Sequence, residues 1–297
     1  MKPLITLLLA ASAVNACPCG CARPTLDNSL EHGLGNAGWA IDLTHATISQ
    51  DERAGAAHAH IAAHHRLTNL TVEGEVSGAR WTLVLPRVER LLTVTATGAT
   101  TQVNGLGDAT LTARVPMGGP EVIAGIKLPT GTSDATLGVP RRYLQLGTGS
   151  TDLIAGFRLS TQGAEAGASA FLQITGQAAI NTDGIFRPGS TLSLVAGFRQ
   201  PLGQELAFTL QGSVVRQHRD KNLQASVDPA YAEDLETSIL SVSATPGLVW
   251  TPNASTSIHL HLTEPLVDKN YAGKAAGGLV NPVHSSRIVS IGVTRRF

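Results

Sequence analysis

Long apolar runs are missing from this chain of 297 residues once its first sixteen positions are passed. No later stretch approaches the roughly 18 uninterrupted apolar residues that a membrane-crossing helix needs, although apolar residues make up 42% of the whole. Charge of one sign is missing as well. With 22 basic residues against 22 acidic ones, no basic surface offers itself to nucleic acid, and no nucleic-acid partner is expected. Aromatic residues are scarce, at 4%. Cysteine is nearly absent: Cys17, Cys19 and Cys21 all fall in the pentapeptide CPCGC. Three thiols crowded together cannot staple a fold of this size, so stability must come from hydrogen-bonded β-structure or from a core.

What is present begins with an export signal. MKPLITLLLAASAVNA has one cation, Lys2, then an apolar run from Leu4 to Val14 and small residues at its end. That is the layout of a secretory signal peptide, too short to span a membrane as a mature helix. Residues 1–16 are read as the signal, with Val14 and Ala16 at the −3 and −1 positions of the cleavage site. Cys17 would then lead the mature chain. A lipid on Cys17 is the alternative, although Val14 and Asn15 depart from the usual lipoprotein pattern. Residues 17–38 are read as a flexible, cysteine-containing segment, and 39–297 as a single barrel domain.

The dominant signal is period-2 alternation. In 205–215, Leu206, Phe208, Leu210 and Val214 alternate with Ala207, Thr209, Gln211 and Ser213. In 255–263, Ile258, Leu260 and Leu262 alternate with Ser257, His259 and His261. One face is apolar and the other small and polar, as expected for strands. Twelve such segments are predicted: 39–49, 66–76, 80–88, 107–115, 120–128, 150–160, 167–178, 190–200, 204–216, 237–250, 256–266 and 286–297. Most exceed the 5–6 residues typical of a sandwich strand and reach the 9–11 that cross a bilayer. Short links, such as those near 77–79 and 201–203, alternate with long ones, such as 50–65 and 129–149. The expectation is therefore an all-β, twelve-stranded, antiparallel up-and-down transmembrane β-barrel of the bacterial outer membrane, with outer-membrane lipid as its surroundings. Only a closed barrel lets strands cross lipid without an unpaired edge.

The chain ends RIVSIGVTRRF, with Ile291 and Val293 on the parity of Phe297. This resembles the C-terminal strand that outer-membrane barrels present to their assembly machinery, although Arg295 departs from it. The phrases GLGDATLTARV (105–115), IAGIKLPTG (123–131) and LQLGTGSTDLIAGFRLS (144–160), with WTLVLPRVER (81–90), resemble the outer-membrane transporter-like family associated with the meta-cleavage pathway of phenol degradation. The resemblance covers roughly 66–297 and implies a barrel for small, often hydrophobic solutes.

Three sets of candidate residues follow. With the N-terminus on the periplasmic side, the long loops face outward. Loop 51–66 then carries His58, His60, His64 and His65 at the exterior, a possible site for zinc or copper, since neutral imidazole ligates both. Cys17, Cys19 and Cys21 would lie at the periplasmic mouth near His259 and His261, whose spacing of two sends both imidazoles to one side. Thiolates with imidazoles suit Cu(I) or Zn²⁺; an oxidised or lipidated tail with no ligand role is the alternative. Asp108, Arg114, Lys127, Asp152, Arg158 and Arg199 have inward parity or strand-end positions, lining a pore or forming a salt-bridge network that fills it. His284 and Ser286 share the two-residue spacing of outer-membrane phospholipase, but the flanking Asn-Gly is missing, and no enzymatic activity is expected. The function expected is a channel or transporter for a small, possibly hydrophobic solute. Periplasm-facing metal binding or transport is the alternative, and a non-conducting structural or receptor barrel the third.

Overall fold

The computed structural model describes residues 38–52, 61–94, 98–133, 145–162, 168–183, 186–223, 237–272 and 283–297. The signal and cysteine segments, up to residue 37, lie outside them. Among the described residues there are fifteen strands and no helix. They are β1 (Trp39–Glu52), β2 (Ile61–Val76), β3 (Ala79–Val94), β4 (Ala99–Leu106), β5 (Ala109–Pro116), β6 (Glu121–Leu128), β7 (Ser150–Gln162) and β8 (Ser169–Thr182). β9 (Phe186–Arg187), β10 (Thr191–Pro201), β11 (Leu206–Gln217), β12 (Lys221–Asn222), β13 (Thr237–Asn253), β14 (Thr256–Ala272) and β15 (Val283–Arg296) follow.

Thirteen of these strands form one antiparallel sheet, and β9 and β12 pair separately. β4 and β5 share a single stave, since both pair with β3: β4 along Arg87–Val94 and β5 along Arg80–Val84. The sheet therefore has twelve staves. It closes on itself, because β1 pairs with both β2 and β15, and β2 pairs with β3. Each of the twelve predicted segments falls on one stave.

The short turns lie at the end of the barrel that also holds Trp39 and Phe297, whose N–H donates to the Trp39 carbonyl at 2.8 Å. Ser77 and Gly78 join β2 to β3 with φ of 53° and 76°. Two successive positive φ values make a tight hairpin turn whose twist matches that of its strands, and Gly at the second position adopts it without strain.

Alternation along each stave separates the faces. In β11, Ala207, Thr209, Gln211, Ser213, Val215 and Gln217 are buried inside, while their neighbours face out. The outside carries residues such as Leu192, Leu194, Leu248 and Ile291, all exposed. An apolar outside around a hydroxyl-rich inside inverts a water-soluble barrel and suits lipid. The three tryptophans share one rim. Trp39, Trp81 and Trp250 all face out, at 50%, 40% and 46% exposure, and all lie towards the short-turn end. Towards the long-loop end the outer wall carries ion pairs instead, Arg66–Glu89 at 3.4 Å and Arg287–Glu264 at 2.6 Å.

The structure departs from expectation in two long loops. The stretch 89–106 is mostly strand, because β3 continues to Val94 and returns as β4. Its outward face mixes polar residues with Leu106, and Glu89 accepts from both Arg66 and Gln102. Without apolar alternation the pairing left no trace in hydropathy. The histidine loop is also shorter than expected, since β2 begins at Ile61. His64 and His65 are therefore neighbours in a strand, and the pleat sends them to opposite faces. His64 is exposed beside Ser49, whereas His65 is buried inside, so the two cannot serve one exterior metal site. His58 and His60 lie outside the described residues.

In a bilayer the three tryptophans should be quenched more strongly by lipids brominated near the headgroup than by lipids brominated near the acyl terminus. Equal quenching would contradict the one-rim placement.

Candidate functional site

Pro86 has no N–H to give to the stave opposite, but its carbonyl accepts from Gly107 at 2.8 Å. Between Val84↔Thr110 and Arg87↔Leu106, the two residues Leu85 and Pro86 oppose three, Gly107, Asp108 and Ala109. The extra residue is a β-bulge, which re-aims a side chain. Here it delivers Asp108 to the lumen side.

Asp108 is the hub of a buried polar lock. Its carboxylate accepts from the Thr148 N–H at 2.8 Å, the Thr148 hydroxyl at 2.7 Å and the Gly131 N–H at 3.2 Å. The Lys127 ammonium lies 3.2 Å from Asp108 and 3.1 Å from Asp152. It also donates to the hydroxyls of Thr148 and of Ser150, the latter at 3.1 Å. Asp152 accepts in turn from Ser150 at 2.6 Å and from Gln177. All the hydrogens of the ammonium are thus engaged, as a buried charge requires.

The lock holds a strap, the segment 145–149 that precedes β7. Leu146 and Gly147 donate their N–H groups to the Thr132 carbonyl at 2.9 and 3.0 Å. Gly131 and Gly147 meet so closely that a Cβ on either would overlap the other's backbone, which accounts for glycine at both positions. Held this way, Leu146 enters a collar of buried apolar side chains, Ala46, Ile48, Leu67, Val88 and Ile288, with Val103 packed against it. All belong to the inward face of β1, β2, β3, β4 and β15, so the collar lies inside the barrel towards the long loops.

Nearer the short turns the lumen is charged. The Arg158 guanidinium stacks over the Phe171 ring at 4.0 Å and reaches the Glu121 carboxylate at 3.4 Å. Arg114 is buried on β5, and Arg199 is half-buried on β10. On the opposite wall His259 and His261 have ring centroids 5.4 Å apart. His259 Nε2 is 3.2 Å from the Thr44 hydroxyl and 3.7 Å from Asp42, which also accepts from Thr44 and Thr294 at 2.6 and 2.8 Å. Gly247 and Gly292 leave the space these imidazoles occupy.

The six charged residues singled out from parity thus all face inward, but they divide in two. Asp108, Lys127 and Asp152 join in one lock, while Arg114, Arg158 and Arg199 belong to the lower lumen. Cys17, Cys19 and Cys21 lie outside the described residues, among which no group of three or more histidine, cysteine, aspartate or glutamate side chains is placed to hold a metal ion. Sequence reasoning missed the collar and the strap. Its one available signal was parity: Ile48, Leu67, Val88 and Ile288 are apolar on the face that is otherwise small and polar.

No family model and no curated relative matches the chain. Among solved structures, an outer-membrane channel from Pseudomonas putida F1 superimposes with a TM-score of 0.62 at 11% identity, over 90% of this chain and 98% of that one. The translocator domain of the autotransporter NalP from Neisseria meningitidis gives 0.48 at 11% identity, over 90% and 91%. CymD, a monoaromatic hydrocarbon channel, gives 0.45 at 10% identity, over 98% and 95%. The first likeness shows a shared fold, and the other two are too loose to add to it.

Replacing the central cation tests the lock. Lys127→Met leaves two carboxylates buried without their counter-charge and should cost about 3–5 kcal/mol, read as a lower urea midpoint of the refolded barrel. Adding Asp108→Asn and Asp152→Asn should recover most of the loss.

Proposed function

We propose that this chain is a channel of the bacterial outer membrane that admits a small, apolar solute. The observation that carries the reading is the apolar collar around Leu146. A lumen built for ions or sugars keeps polar groups along its path, whereas an apolar patch on one wall, with a leucine folded in against it, sheds water and disfavours ions there. An uncharged, apolar solute loses little on passing such a patch and gains contact with it. The apolar outer wall and the fold shared with an outer-membrane channel support the setting. The short hairpins are assigned to the periplasmic side and the long loops to the exterior.

The family resemblance in the sequence supports the same reading from another direction. Its phrases at 105–115, 123–131 and 144–160 include Asp108, Lys127, Gly131, Gly147, Thr148 and Asp152, which build the bulge, the glycine contact and the lock.

Planar-bilayer recording is the direct test. The wild-type protein should give small ionic conductance steps, and Leu146→Ser should enlarge them several-fold by wetting the collar. A wild-type conductance as large as that of a water-filled porin would overturn the apolar-solute reading. An unchanged Leu146→Ser conductance would place the narrowest point elsewhere.

A further inference from the structure

The two rims of the outer wall are unlike. A membrane barrel usually carries aromatic girdles at both boundaries of its apolar band, yet all three tryptophans of this chain stand at the short-turn rim. The change is visible along one strand. Towards the long loops the outward residues of β3 run Trp81, Leu83, Leu85, Arg87 and Glu89.

The long-loop rim is made of rows that cross β1, β2 and β3 in register. Leu43, Leu70 and Leu85 lie side by side, all exposed. The next row is His45, Thr68 and Arg87, and the one beyond it Thr47, Arg66 and Glu89. His45 Nδ1 lies 3.0 Å from the Thr68 hydroxyl. Glu89 accepts from Gln102 of β4 at 2.8 Å and from Arg66 at 3.4 Å, and Arg66 still leaves 62% of its side chain exposed. Arg87, exposed as well, enters no ion pair among the described residues. Cation therefore exceeds acid on this face, with hydroxyls and an imidazole between the charges and three leucines directly below. A guanidinium at the edge of lipid cannot turn to hydrocarbon, and phosphate is the anion that lipid headgroups offer it. Both cations are arginine, whose planar fork matches phosphate oxygens where an ammonium supplies only a point charge.

We propose that this face of β1, β2 and β3 binds lipopolysaccharide of the outer leaflet. Arg66 and Arg87 hold a phosphate of its glucosamine headgroup, His45, Thr47 and Thr68 meet the sugar hydroxyls, and an acyl chain lies along Leu43, Leu70 and Leu85. The proposal rests on the assignment of the long loops to the exterior and is independent of what passes through the lumen. It also accounts for the unlike rims, since the tryptophans then face the phospholipid of the inner leaflet, where amphipathic rings sit well.

Native mass spectrometry of the refolded barrel in detergent tests it, with lipid A bearing both phosphates as the probe. The wild-type protein should retain lipid A, and R66Q/R87Q should bind it about tenfold less tightly, the size of one charge-assisted hydrogen bond. Lipid A stripped of its phosphates should bind the wild-type protein as weakly as the intact lipid binds that variant. The double variant removes only exposed groups, so its urea midpoint should stay at the wild-type value. Arg295→Gln, which removes an exposed arginine at the short-turn rim, should leave binding unchanged. Equal binding by R66Q/R87Q and the wild-type protein would overturn the proposal. So would phosphatidylglycerol competing as well as lipid A, or an equal loss in Arg295→Gln, because either would reduce the effect to net charge.

Discussion

Every strand in this molecule must spend its backbone N–H and C=O groups on another strand, because lipid offers them nothing. Twelve staves meet that demand only by closing into a ring, and the pairing of β1 with β15 completes it. Once the ring is closed, the outward face is obliged to be apolar, while the inward face is free of that obligation. The inward positions can therefore hold serine, threonine, glycine and charge, provided each buried polar group finds a partner. The functional character of the barrel lies in that freedom.

The lumen uses the freedom unevenly. Around β5 to β8 a lysine shared by two aspartates holds the strap. Where Leu146 packs, β1 to β3 and β15 contribute an apolar cluster to an inner wall that elsewhere carries Asp42, Thr44, His65, Arg90 and Thr294, and around β10 to β13 the wall is a mosaic of hydroxyls and methyls. These three surfaces meet at one level, and Leu146 is placed there by chemistry that begins with Pro86. A proline with no hydrogen to donate sits opposite a bulge, the bulge turns an aspartate inward, and the aspartate holds the strap. A single residue too many in one strand thus decides how the top of the lumen is shaped.

Much of the wall was legible in the sequence, because burial of one face writes itself as period 2. The twelve staves, their order and the inward parity of Asp108, Lys127 and Asp152 could all be read that way. The hairpin of β3 and β4 could not, since both its faces carry polar residues beyond the apolar band and alternation has nothing to mark. The collar was hidden for the opposite reason. Ile48 and Leu67 are apolar on the polar face, and isolated exceptions of that kind look like noise until the strap supplies the partner that explains them. The adjacency of His259 and His261 followed from their spacing alone. The meeting of Asp108 with Thr148 depends on a fold-back of the chain that no local pattern records.

The lock has a further consequence for how the barrel is made. Its bonds join residues between 108 and 177, on consecutive staves, whereas the seam joins Asp42 to Thr294, at opposite ends of the chain. Loop-closure entropy grows with the length of chain enclosed, so the shorter connections are the cheaper to make first. The strap can therefore settle against an open, curling sheet, and the last strand then shuts the wall around it. A strap installed before the walls close never has to be threaded through a narrow opening afterwards.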